Sequence, residues 1–149
     1  MMPSKDVVME AVQNRPYSQT LQRLRDAGLR PTRQRLALGR LLFDSYDRHV
    51  TAEALHEEAQ VGGISVSLAT VYNTLHQFTD AGLLRQVVVD ASRTYFDTNI
   101  HEHHHFFNES DGKLTDIPAD QISLSTLPDA PEGLDVARVD VIVRVAPAS

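Results

Sequence analysis

A stretch of seven residues, HEHHHFF at positions 101–107, holds the side chains of this chain that are best suited to binding a metal. It contains four of the seven histidines in the protein. In an extended backbone successive side chains point to opposite faces, so the odd-numbered histidines are predicted to share one face while Glu102 and His104 share the other. Imidazole and carboxylate groups are common metal ligands. Each face is therefore a candidate metal or haem site, the alternative being a polar surface loop.

Composition limits the chemistry that these groups can perform. The 149 residues fit one ordinary domain or two small ones. The absence of cysteine excludes disulfides, thiolate zinc sites and iron–sulfur ligation. The N-terminus lacks the apolar core of a signal peptide, and no apolar run approaches the ~20 residues of a membrane span. We therefore expect a cytoplasmic protein without a membrane partner.

The net charge of −6 averages over two unlike halves. Residues 1–48 contain nine Lys/Arg against five Asp/Glu, whereas residues 49–149 contain five against fifteen. A basic N-terminal part followed by an acidic C-terminal part is typical of a small nucleic-acid-binding unit joined to an acidic sensing or oligomerising unit.

The first half of the sequence predicts helices followed by a hairpin. Thr32 and Thr51 are placed to cap two of the helices. Helices are predicted over residues 18–27, 32–45, 51–60 and 67–80, and strands over residues 84–89 and 94–97, with residues 47–50 as a connector. The apolar residues of the last helix that are predicted to be buried are Leu68, Val71, Leu75 and Phe78. This order predicts a winged helix-turn-helix over residues 18–97, preceded by a mobile tail at residues 1–17.

The remaining residues predict a second, smaller unit. After a hinge at residues 98–102, strands are predicted over residues 104–108, 113–117 and 136–145. The last strand alternates, and its face predicted to be buried carries Val139, Val141, Val143 and Val145. So small a unit needs a partner to cover that face. We therefore expect an α+β protein in which residues 103–149 form a small α/β dimerisation and metal/haem-sensing domain.

The predicted winged helix carries residues suited to contacting double-stranded DNA. In a helix-turn-helix, the exposed start of the second helix reaches base edges and phosphates. The candidates there and in the preceding basic segment are Arg30, Arg33, Arg35, Ser67, Thr70, Tyr72 and Asn73. Asparagine can read adenine, while threonine and tyrosine contact thymine methyls or phosphates. An ordinary solvated helix face is the alternative for the same pattern.

Several motifs in a fixed order resemble one group of known proteins. The segments are AGLRPTRQR, HVTAEAL, SLATVYNTL, TYFD, HEHHHFF and GKLTDI, and the resemblance covers roughly residues 18–117. Together they resemble the ferric uptake regulator (Fur) superfamily and, within it, the iron response regulators (Irr). This resemblance implies a homodimer in which winged-helix domains are joined by hinges to a central dimerisation unit, with a regulatory metal site between the two.

The resemblance also implies the metal ligands residue by residue. They are His49, Asp97, His103, His105 and Asp116. Three imidazoles and two carboxylates suit Fe(II), Mn(II) or Zn(II) without choosing among them. The structural zinc site that many relatives build from CxxC is absent, because Asn108 and Asp111 replace its cysteines. A possible second metal site would use Glu102 and His104, and no later histidine completes it. Asn73 stands where some Fur proteins have arginine.

Similarity to Irr implies haem binding by the run His103, His104 and His105, with apolar ring contacts from Phe106 and Phe107. The function then expected is a haem-responsive regulator of iron homeostasis, mainly a repressor. It would bind operator DNA as a dimer when haem is scarce and be released by haem. The alternative is a metal-dependent Fur-like repressor or a peroxide-sensing PerR-like one. An enzyme is not expected, because the sequence offers no second catalytic constellation.

Overall fold

The computed structural model describes residues 19–149, and the tail predicted at residues 1–17 lies outside the described residues. Internal contacts divide the chain into an N-terminal unit that ends at Ile100 and a C-terminal unit, His101–Ser149. This boundary falls within the segment predicted as a hinge, residues 98–102. None of the helices in the described part of the chain is long and apolar enough to cross a membrane.

Four helices form the first part of the N-terminal unit. They are α1 over residues 19–26 of the described chain, α2 Arg33–Phe43, α3 Ala52–Val61 and α4 Leu68–Asp80. The caps predicted at Thr32 and Thr51 are confirmed, since each side chain accepts a hydrogen bond from the backbone N–H three residues later. Ser67 caps α4 in the same way. These bonds satisfy N–H groups that the first helical turn leaves without a partner.

The core of the N-terminal unit lies where the four helices meet the sheet. Its largest fully buried side chains include Leu24, Leu38, Leu42, Leu55, Leu75, Phe78 and Phe96. On α4 the predicted burial of Val71, Leu75 and Phe78 is confirmed. The prediction is wrong for Leu68, which is 36 % exposed because it is the first residue of the helix. Thr74 is buried on the same helix.

Three strands complete this unit. They are β1 His49–Val50, β2 Arg85–Asp90 and β3 Arg93–Asp97, all antiparallel, in the order β1-β3-β2. The hairpin β2–β3 is the predicted wing. The assignment of residues 47–50 as a connector is wrong, because His49 and Val50 pair with β3. A two-residue strand is too short to show the alternation from which strands are predicted.

The C-terminal unit contains a second three-stranded sheet. Its strands are β4 His103–Asn108, β5 Leu114–Pro118 and β6 Ile142–Val145, in the order β5-β4-β6. β5 runs antiparallel to β4, whereas β6 runs parallel to it. A single 3-10 turn, Ala119–Gln121, follows β5. The predicted α+β class, with an N-terminal winged helix-turn-helix and a smaller C-terminal unit, is confirmed.

The predicted terminal strand over residues 136–145 is too long by six residues, since β6 begins at Ile142. Val141 explains where pairing ends. Its carbonyl accepts from the His105 N–H at 3.2 Å, but its N–H donates to Nδ1 of His104 at 3.1 Å instead of to a backbone carbonyl. The side-chain bond replaces the next bond of the ladder. Val143 is 36 % exposed within a single chain, and the expectation that a partner covers this face stays a prediction.

Candidate metal centre

The N-terminal unit brings His49 and Asp97 together across β1 and β3. The two residues are directly opposite in the register, so their side chains share one face of the sheet. Nε2 of His49 lies 3.1 Å from Oδ2 of Asp97, whose side chain is fully buried. Oδ1 of Asp97 accepts a hydrogen bond of 2.9 Å from the Asn99 N–H. One carboxylate oxygen is therefore held by the backbone while the other faces the imidazole.

The C-terminal unit brings three further candidate ligands together on β4 and β5. Nε2 of His103 lies 3.3 Å, and Nε2 of His105 lies 3.5 Å, from Oδ1 of Asp116. His105 is directly opposite Asp116 in the register. Ligand atoms of these three residues lie within 4.8 Å of one another. The alternation of the strand thus places His103 and His105 on one face, as the sequence predicted, and the neighbouring strand adds the carboxylate.

Nδ1 of His103 fixes the orientation of that ring. It lies 2.5 Å from the carbonyl oxygen of His101. A carbonyl can only accept, so Nδ1 carries a proton, and Nε2 is the ring nitrogen that faces Asp116. A backbone carbonyl bound to the far ring nitrogen is the usual support of a metal-ligating histidine. Imidazole nitrogens with carboxylate oxygens form a donor set that fits Fe(II), Mn(II) or Zn(II).

The other members of the histidine run lie apart from this set. His101 is exposed and precedes β4, so the prediction that it shares the face of His103 and His105 is wrong. His104 is buried, and its Nδ1 accepts from the Val141 N–H. Among the described residues, Glu102 and His104 are not joined by a third ligand group. They line a cleft of about 410 Å³ within the C-terminal unit, together with Leu124, Leu127, Val136 and Arg138.

Several side chains predicted to contact DNA make hydrogen bonds within the N-terminal unit. Oγ of Ser67 accepts from the Thr70 N–H and donates to Oγ1 of Thr70 at 2.9 Å. The Arg35 guanidinium donates to Oε1 of Gln77 and to the carbonyl of Arg30, which ties the start of α2 to α4. Arg30, Arg33 and Asn73 are exposed.

Tyr72 has a partner that the sequence did not reveal. Its hydroxyl donates to Oε1 of Glu53 on α3 at 2.5 Å. This bond lowers the pKa of Glu53 and raises the pKa of Tyr72. In the sequence, Glu53 is an acidic residue in the first turn of α3. Only the packing of α3 on α4 shows that it also binds the Tyr72 hydroxyl. It holds the Tyr72 hydroxyl in one place on α4, the helix predicted to contact DNA.

Comparisons with known proteins agree with this architecture. Residues 26–142 match the family model described as the ferric uptake regulator family. The peroxide-responsive repressor PerR of Staphylococcus aureus is 32 % identical over 117 residues, which cover 78 % of each chain.

Two solved structures share the fold. The ferric uptake regulator of Pseudomonas aeruginosa with manganese has a TM-score of 0.67 at 24 % identity, covering 87 % of this chain and 98 % of that one. The Vibrio cholerae ferric uptake regulator has a TM-score of 0.66 at 23 % identity, covering 85 % and 98 %. On the extent of the family match and the identity to the peroxide-responsive repressor, this chain belongs to the ferric uptake regulator family of transcriptional regulators.

Proposed function

We propose that this chain is a metal-dependent transcriptional repressor that binds operator DNA as a homodimer. The proposed ligands of one divalent ion are His49, Asp97, His103, His105 and Asp116. The observation that carries the proposal is the grouping of these residues: two lie 3.1 Å apart in the N-terminal unit, and in the C-terminal unit two imidazoles lie 3.3 and 3.5 Å from one carboxylate oxygen.

The two ligands of the N-terminal unit are too few to hold an ion by themselves. Protein metal sites with imidazole and carboxylate ligands use at least three protein groups, and structural sites use four. Two groups in the N-terminal unit fall short of that number, whereas five from both units satisfy it. An ion held by all five would fix the angle of the winged helix, and so make DNA binding depend on the metal.

Recognition of DNA is assigned to the N-terminal unit. The reading helix α4 contains no Lys or Arg, so its exposed residues can contact bases but supply no positive charge. Contacts to phosphate then come from Arg30 and Arg33 at the start of α2, both exposed. Asn73 is the residue of α4 best suited to reading a base edge, because an amide can make two hydrogen bonds to adenine.

Dimer formation is assigned to the C-terminal unit. Many of its large apolar side chains are at least one-third exposed: Phe106, Leu124, Leu127, Leu134, Val136 and Val143. So small a unit cannot cover this much apolar surface alone. A second copy of the chain would cover it and give two symmetric DNA half-sites.

The substitution His103→Ala tests the metal site directly. It removes one imidazole from the set around Asp116, so we expect Mn(II) affinity to fall by at least ~100-fold, beyond the effect of losing an outer-shell partner. Competition with a chromophoric chelator measures the affinity. His101→Ala is the matched control, because it keeps the carbonyl that orients His103 and should bind Mn(II) as the wild type does. If His103→Ala bound Mn(II) as tightly as His101→Ala, the assignment of His103 as a ligand would be refuted.

Peroxide sensing is the more specific function that we propose for this metal site. It is favoured by the 32 % identity to a peroxide-responsive repressor and by the two aspartates of the ligand set. Bound Fe(II) would activate peroxide for this reaction, while the two electrons that reduce it would come, in sum, from the ligand imidazole that is oxidised. The imidazole of His49, or of a neighbouring ligand, would accept one oxygen atom while the other leaves as water, and the oxidised ring would be a weaker ligand.

Mass spectrometry of peptides tests this oxidation. In protein loaded with Fe(II) and exposed to peroxide, we expect a peptide that carries a ligand histidine to gain the mass of one oxygen atom. Protein loaded with Mn(II) is the control and should gain nothing, since Mn(II) does not reduce peroxide under the same conditions. Release from DNA without any oxidised histidine would overturn the peroxide-sensing proposal and leave the metal-dependent one intact.

Haem-responsive regulation, as in Irr, is a second candidate that the cleft beside His104 favours. Nδ1 of His104 accepts from the Val141 N–H, so the neutral ring carries its proton on Nε2, and ligation of haem through Nε2 would require the ring to give up this bond. The cleft combines apolar side chains with Arg138, which suits a flat apolar ring that carries carboxylates. In this version haem binding releases the protein from operators of genes that consume iron or make haem. The names of the relatives favour the metal-dependent version.

Haem titration of His104→Ala separates the two candidates. If the cleft binds haem, this variant should lose the shift of the haem absorbance band that the wild type produces, because the axial imidazole is gone. Its Mn(II) affinity should stay near the wild-type value, since His104 points away from Asp116. His103→Ala serves as the reciprocal control, with haem bound and Mn(II) affinity lost. An unchanged haem titration in His104→Ala would remove the cleft as a haem site.

A further inference from the structure

Arg48, the residue before His49, joins several elements of the N-terminal unit. Its guanidinium donates to both carboxylate oxygens of Glu58 on α3, at 3.0 and 2.6 Å. The same guanidinium donates to the carbonyl of Leu41 at 3.1 Å. Leu41 lies in the last turn of α2, where carbonyls have no partner within the helix. One side chain therefore links the end of α2 to the middle of α3.

The backbone of Arg48 is held from the other side by Thr98, the residue that follows Asp97. The Arg48 N–H donates to Oγ1 of Thr98 at 2.8 Å, and the Thr98 N–H donates to the Arg48 carbonyl at 3.1 Å. These two bonds extend the β1–β3 pairing by one residue beyond the pair His49 and Asp97. The two proposed ligands of this unit thus stand directly beside Arg48 and Thr98.

Without this support, the position of His49 would depend on a strand of two residues. So short an edge strand constrains its backbone weakly, since it contributes only two pairs to the sheet. An exposed ion pair adds little to folding stability. The Arg48 guanidinium makes two bonds to Glu58 and a third to the Leu41 carbonyl. These three bonds fix the orientation of the guanidinium more than they add to the free energy of folding. The three bonds therefore act mainly by fixing the position of the backbone just before His49.

We infer that Arg48 is a positioning residue for the metal site: it holds His49 opposite Asp97 and connects that ligand through Glu58 to α3. This inference rests on the proposed function. Because α3 packs on the reading helix α4, a displacement of His49 would reach the DNA-reading surface through the same contacts. Arg48 touches no proposed ligand atom and acts only through the backbone and the two helices.

Two substitutions weaken this connection without removing a proposed metal ligand. Arg48→Lys keeps the charge but cannot bond to both oxygens of Glu58 and to the Leu41 carbonyl together. Glu58→Gln keeps the shape of the partner and removes its charge. Arg40→Lys is the control for a general effect of replacing arginine, because Arg40 also forms an ion pair, with Asp44 at 3.3 Å, on a segment that carries no ligand. Mn(II) affinity of the full chain is measured by chelator competition, and the melting temperature is measured without metal.

We expect Arg48→Lys to weaken Mn(II) binding by about tenfold, as loss of an outer-shell support commonly does. Glu58→Gln should weaken it in the same direction, and Arg40→Lys should match the wild type. The metal-free melting temperature should change little in all three. Unchanged Mn(II) affinity in Arg48→Lys overturns the inference, whether or not its melting temperature falls, because a purely structural residue would act on folding alone. A wild-type chain that binds no Mn(II) overturns the proposed function itself, and this inference with it.

Discussion

Burial of the Asp97 carboxylate is the constraint on which the N-terminal half of the proposed centre depends. A buried charge must be compensated by hydrogen bonds or by an opposite charge. Asp97 receives the Asn99 N–H on one oxygen and faces the His49 imidazole with the other. β1 pairs with β3 so that His49 lies directly opposite Asp97, and this register brings the two groups together. A divalent ion bound to both groups would add positive charge beside this buried carboxylate.

Alternation along β4 gives neighbouring histidines different roles. His103 and His105 face Asp116, whereas His104 is bonded to the N–H of Val141, just before β6, and lines the cleft. The metal-dependent and haem-responsive versions of the function therefore use opposite faces of one strand. A competition between metal and haem for the same imidazoles is not required, and the two ligands can be separated by single substitutions.

Local patterns in the sequence predicted much of this arrangement, and long-range register decided the rest. The caps at Thr32 and Thr51, the wing hairpin and the shared face of His103 and His105 follow from spacing alone, so they were predictable. Pairing of His49 with Asp97 depends on two segments far apart in the chain, and only the family resemblance indicated it. The bond from Tyr72 to Glu53 depends on packing, which no local pattern encodes. The same is true of the start of β6 at Ile142, because the N–H of Val141 bonds to the His104 side chain.

DNA binding with and without metal tests the central claim, that an ion held by ligands of both units sets the affinity for DNA. The probe is a duplex that the Mn(II)-loaded full chain selects from a random library, and fluorescence anisotropy measures the affinity. Removal of the metal by a chelator should weaken binding by about five- to 150-fold, the usual range of coupling between two sites. Added Mn(II) should restore it. Equal affinity before and after chelation would contradict the account.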